Sequence, residues 1–151
     1  MSPTQAKTQT AAPRFGRLDA AMADVEAAIR HSWGIDTCDP TDAPVWTPEN
    51  PSRGQCAVTA LVVHDLIGGQ LLEAEVLRPD GSRQGFHYWN RLVGFDLDLT
   101  SQQFAEDETI QAPHLIDRDP AFPWLAQDQY LIFRDRVFEK LHLPTSGTQT
   151  D

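Results

Sequence analysis

The sequence predicts an α+β domain in which a helix that begins at a cysteine packs on a small antiparallel sheet. Three observations lead there. Residues 17–33 carry apolar side chains at helical spacing. The stretch "QCAVTALVVHDLI", residues 55–67, is apolar around most of its circumference and ends at Gly68-Gly69. The segment that follows alternates apolar and polar residues and is cut by turn signals, as antiparallel strands are. Helices and strands that segregate along the chain, instead of alternating, define the α+β class.

In chain order, residues 1–14 and 144–151 are polar and read as disordered tails, which leaves one domain over 15–143. Leu18, Met22, Val25, Ile29 and Trp33 define the inner face of the first helix, with Gly34 as its C-cap. Residues 36–53 contain Pro40, Pro44, Pro48 and Pro51, so they form a long stiffened loop. Ser52 and Gln55 match a capping box at the start of the central helix. Strands are expected near 70–78, 84–92 and 95–99, with turns at Pro79-Asp80-Gly81 and Gly94. A last helix spans about 128–141, with Tyr130, Phe133, Val137 and Leu141 on one face.

Composition limits the partners. The 151 residues are 40% apolar, enough for one core, and carry a net charge of −10. An acidic surface attracts neither nucleic acid nor anionic membranes, so neither is expected as a partner. No apolar run approaches the roughly 20 residues that span a bilayer, and the first residues have no apolar signal core. A cytoplasmic protein is therefore expected, with Cys38 and Cys56 as free thiols.

Cys56 falls in the first turn of the central helix. Free backbone N–H groups and the helix dipole favour an anion there, a thiolate included. A nucleophilic cysteine needs a base, and the base needs an orienting group. Strand alternation puts His87, Trp89 and Arg91 on one face of the second strand, and Asp96, Asp98 and Thr100 on one face of the third. A two-residue turn at Val93-Gly94 or Leu92-Val93 brings the two sets together, with His87 and Asp98 as direct or diagonal neighbours. Asp96 is the alternative partner for the imidazole. His64 lies eight residues along the helix from Cys56, about 12 Å away. His87, Asp96, Asp98 and His114 match no metal-ligand spacing, so neither a metal nor a cofactor is expected.

The motifs "GQCAVTAL", "HYWN" and "DLT" resemble the transglutaminase-like branch of the papain-like cysteine enzymes. More closely, Asn50 to Cys56, His87 to Asn90, and Asp98 to Thr100 with Gln103-Phe104 resemble the YunG-like family of small bacterial proteins. The resemblance covers about residues 44–104 and implies Cys56 as nucleophile, His87 as base and Asp98 as orienter. It also implies an oxyanion donor beside the backbone N–H of Cys56, either Asn50, six residues before the nucleophile, or Gln55. Trp89 either walls the cleft or fills core. Ala57 stands where many transglutaminase-like enzymes have Trp, so protein crosslinking is not implied. The expected activity is hydrolysis or acyl transfer on an amide or ester of a small molecule or peptide, through a Cys56 thioester. The alternative is a module that keeps the fold to bind a ligand or sense thiol chemistry.

Overall fold

A computed structural model of the chain describes residues 14–104, 106–118 and 127–145. The sequence-expected tails lie outside these residues except at Arg14, Pro144 and Thr145, and Arg14 already belongs to a helix.

The order is α1 (Arg14–Arg30), α2 (Cys56–Ile67), β1 (Gln70–Leu77), β2 (Arg83–Leu92), β3 (Phe95–Leu97), β4 (Thr109–Ile110), β5 (His114–Ile116) and α3 (Gln127–Lys140). Short 3₁₀ turns occupy Ala43–Val45 and Ser101–Gln103. Seven of the twelve residues of α2 are buried, on every side of the helix, because other elements surround it. Ala28 and Ile29 of α1, Phe133 and Val137 of α3, and Leu71 and Tyr88 of the sheet share its core cluster. Each large side chain sealed this way contributes about 1.5–3 kcal/mol of transfer free energy. Gly68 closes the helix at φ 71°, donating its N–H to the His64 carbonyl. Positive φ is open to glycine at little steric cost.

The first three strands form a meander in the order β3-β2-β1. Val93 and Gly94, at φ 49° and 79°, make the two-residue turn between β2 and β3. Turns with two positive φ angles match the right-handed twist of paired strands. β3 pairs only with Asn90, Arg91 and Leu92 of β2. Among the described residues, that edge of β2 meets no strand from Trp89 back to Arg83, and here the chain builds its polar centre.

Four expectations are corrected. The first helix ends at Arg30, not Trp33. Its last turn tightens, Ser32 donating its N–H to the Ile29 carbonyl and its hydroxyl to that of Ala28. Trp33 leaves the helix to donate its indole N–H to Thr59 at 2.9 Å, and Gly34 is not a helix cap. Second, the capping box is absent. Gln55 is the N-cap but makes no side-chain cap bond, because partners elsewhere hold its amide. Third, β3 stops at Leu97, short of the expected 99. Fourth, β4 and β5 add to the free edge of β1, through Val76–Ile110 and Leu72–Leu115 pairings. Strands of two and three residues are too short to show alternation.

Candidate functional site

His87 is 0% exposed. An imidazole so enclosed needs a partner for each nitrogen. Its Nε2 meets Asp98 Oδ2 at 2.6 Å. That carboxylate is itself held, because its Oδ1 accepts the backbone N–H of Thr100 at 3.2 Å and the Thr100 hydroxyl at 3.3 Å. Trp89 stacks on the ring at 5.2 Å between centroids, and Phe104 meets it edge-on at 4.7 Å. Two aromatic rings and one anchored carboxylate thus fix the orientation of the imidazole.

Cys56 opens α2 beside this ring. Its Sγ lies 3.9 Å from the Phe86 carbonyl oxygen, and it is near enough to His87 to raise the proton affinity of the imidazole. Burial opposes a charge on the imidazole. The hydrogen bonds to Asp98 and Cys56 and the charges of both outweigh that penalty and push His87 up to about 9. The strand register explains the meeting. Arg91 pairs with Asp96 across the sheet, so Asp98, two residues on, returns to the same face and reaches back along β2 to His87.

The residues singled out from sequence separate into two groups. Cys56, His87 and Asp98 come together. Asp96 does not join them, since Arg91 Nε and Trp89 Nε1 occupy it at 2.6 and 3.1 Å. Trp89 packs with Leu72 and Ala74 in a small core cluster and backs the imidazole instead of walling a cleft. The Gln55 side chain is bonded at both ends of its amide. Its Nε2 donates to the Gly34 carbonyl at 2.9 Å and its Oε1 accepts from Thr37 at 2.7 Å. Asn50 directs its amide to the Gln103 carbonyl at 3.5 Å. His114 pairs with Glu73 at 2.9 Å, and no three described His, Cys, Asp or Glu residues are grouped to hold a metal ion.

A cavity of about 180 Å³ lies against Cys56, with Gly54, Phe86, Gln103 and Phe104 among its walls. Asn50 and Gln55 are not among them. Asp39, Asp42, Gln84, Gly85 and Phe86 also line a larger groove of about 500 Å³, so the two spaces adjoin. Gln103 is the residue to which the sequence reading attached no role. Its Oε1 accepts the Gly54 N–H at 3.1 Å, and its Nε2 faces His87 Nδ1 at 3.4 Å. Its one sequence signal is its place just after Asp98-Leu99-Thr100.

These features define an α+β protein in which a helix-initiating cysteine, a buried histidine and an aspartate converge at an uncovered strand edge. The family model described as YunG protein matches residues 21–142, and the chain belongs to that family. It is similar to the uncharacterized protein YunG of Bacillus subtilis (strain 168), 32% identical over 115 residues that span 76% of this chain and 89% of that one. No solved structure matches the chain. Among the described residues, no helix is long and apolar enough to cross a membrane.

Proposed function

We propose that the protein is a cysteine-dependent acyl-transfer enzyme with a papain-like or transglutaminase-like core, in which Cys56, His87 and Asp98 act as nucleophile, base and orienter. The single observation that carries this reading is the buried imidazole bonded to Asp98 at 2.6 Å, with the helix-initiating Cys56 close enough to act on its proton affinity. An ordinary core histidine needs no carboxylate that is anchored in turn, and an ordinary core cysteine needs no imidazole.

The chemistry follows the geometry. The Cys56 thiol passes its proton to His87, and the thiolate adds to the carbonyl carbon of an amide or ester. The π electrons move onto oxygen, return, and expel the amine or alcohol, which takes the proton from His87. A thioester remains. Water or an amine then adds to it while His87 takes the incoming proton, and collapse returns the thiol. Asp98 holds the ring in position throughout and offsets its positive charge. The cavity and adjoining groove suit a small molecule or a peptide end (about 300 Å³ or more is usual for such sites). Free thiols at Cys38 and Cys56 support a cytoplasmic location.

The test uses p-nitrophenyl acetate, with p-nitrophenol release followed alongside intact mass. Wild type is expected to form an acetyl adduct at Cys56 and turn over. Cys56→Ala should form no such adduct, and Asp98→Asn should lose turnover. A thiol sensor would instead show a reactive Cys56 indifferent to Asp98→Asn. Unchanged turnover in Cys56→Ala would remove the enzyme reading.

A further inference from the structure

A tetrahedral adduct at Cys56 places a negative oxygen near the sulfur, and that oxygen needs preorganised donors. The backbone N–H of Cys56 is one. As the first residue of α2, it has no acceptor within the helix. Resting on the acyl-transfer reading, we infer that the side-chain amide of Gln103 is the second donor, and that it is a catalytic residue lying beyond Asp98 in the chain, not ahead of Cys56.

Three observations converge on it. First, the other amides are poorly placed. Gln55 is committed at both ends, and Asn50 is turned to the Gln103 carbonyl. Gln84 lines the cavity too, but it is partly exposed and has no hydrogen-bond partner among the described residues to aim its side chain. Second, Gln103 is held. It is 5% exposed, and the Gly54 N–H can bond only to its oxygen, so the NH₂ end is the one turned to the imidazole. Reversing the amide would set two donors against each other at Gly54. Third, it points at the reacting edge of the ring. Asp98 occupies Nε2, which leaves Nδ1 for Cys56, and Gln103 Nε2 stands 3.4 Å from that same nitrogen. Sulfur and amide therefore meet at one edge, with the cavity beside both. A site about 3 Å from the nucleophile and from the donors is where a reacting carbonyl belongs.

The ring does not compete for this donor in the reactive state. In the thiolate–imidazolium pair that attacks the substrate, Nδ1 holds a proton and accepts nothing, so an N–H of Gln103 is available to the oxyanion.

Two electrophiles separate this role from mere support of Gly54. Iodoacetamide alkylates sulfur by displacement and creates no oxyanion, whereas p-nitrophenyl acetate acylates it through one. Gln103→Glu keeps an acceptor for the Gly54 N–H but has no N–H to give, and Gln103→Met keeps the length without either. Each variant's thermal melt is recorded beside wild type. Acylation of Cys56 is expected to fall about 100-fold in both variants. Alkylation, normalised to the wild-type rate at the same pH, should change by less than about threefold in Gln103→Met. Equal losses with both electrophiles would mean a structural role and overturn the proposal. So would a loss seen in Gln84→Ala but not in Gln103→Glu. If wild-type Cys56 is not acylated at all, the acyl-transfer reading fails and this proposal with it. Acylated wild type with indifferent Gln103 variants overturns this proposal alone.

Discussion

Cys38 and Cys56 are the same side chain in opposite settings, and both are buried, at 2% and 9% exposure. Cys38 sits under the Pro-rich loop. Its Sγ donates to the Arg53 carbonyl at 3.2 Å, and the carboxylates of Asp42 and Asp39 act on it more strongly than the Arg53 guanidinium. Burial, followed by those two carboxylates, pushes its thiol up to about 12. Cys56 starts a helix and lies beside an imidazole whose proton affinity it raises. Burial therefore does not distinguish them. What differs is the surroundings of the sulfur: carboxylates that oppose a thiolate at Cys38, and at Cys56 an imidazole that can take a proton.

The largest expected contrast is in reactivity. At pH 7, iodoacetamide should label Cys56 at least about 1,000-fold faster than Cys38, whose thiolate is scarce that far below its pKa. Peptide mass mapping reads both sites in one sample. Comparable rates would erase the distinction drawn between them.

Removing the imidazole should narrow the contrast from one side only. His87→Ala is expected to slow labelling of Cys56 about 10- to 100-fold and leave Cys38 as it was. Because His87 is fully buried, the same change opens a cavity and should cost about 2–4 kcal/mol in urea unfolding. A variant folded as firmly as wild type would contradict the enclosed placement of the ring.

Stability against pH should show two separate windows. His87 binds its proton more tightly folded, at about 9, than an unfolded histidine near 6.5. Its contribution is full below about 6.5 and disappears as pH rises through about 9. Cys38 also holds its proton more tightly folded, so it weakens the fold between about 8.5 and 12. Urea melts across pH 6–11 should lose the upper slope in Cys38→Ala alone. Asp98→Asn should flatten the lower slope and pull the His87 NMR titration downward. An unmoved midpoint would show that Asp98 does not set the proton affinity.

The smallest effect belongs to the loop that joins the two sites. Gly54 has φ 71°, and a Cβ there would stand 2.5 Å from Cys38 Sγ. Gly54→Ala should cost about 1–3 kcal/mol by thermal melt while disturbing Cys38 first. Equal disturbance of both cysteines would show that the loop and the helix start move as one.

Much of this was legible in the residues, for identifiable reasons. The near-complete apolar surface of 56–67 announced a surrounded helix, and Gly68-Gly69 announced its end. Alternation along β2 and β3 put His87 and Asp98 on one face because a period of two needs no tertiary information. What stayed hidden depends on partners distant in sequence. Gln55 reads as a cap until Thr37 and Gly34, 18 and 21 residues away, take its amide. Trp33 reads as helix until Thr59 draws it off. Gln103 is distinguished from Gln102 by Gly54 and His87, 49 and 16 residues earlier. β4 and β5 exist because β1 has a free edge to fill, and no local pattern records that.

The turn at Val93-Gly94 acts as a parity device. Its φ of 49° on a β-branched residue, 86% exposed, is an unusual geometry for a side chain that touches so little. With two residues in the turn, odd and even positions of β3 fall where they do, and Asp98 faces His87. Insert a single residue there without a compensating bulge, and every position after it changes sides: Leu97 and Leu99 would look toward the imidazole and Asp98 away from it. Insert two, and the faces are restored, though displaced along the strand. Length variation at this exposed tip is therefore not neutral drift in a surface loop. An odd change removes the carboxylate from the site without altering any of its residues.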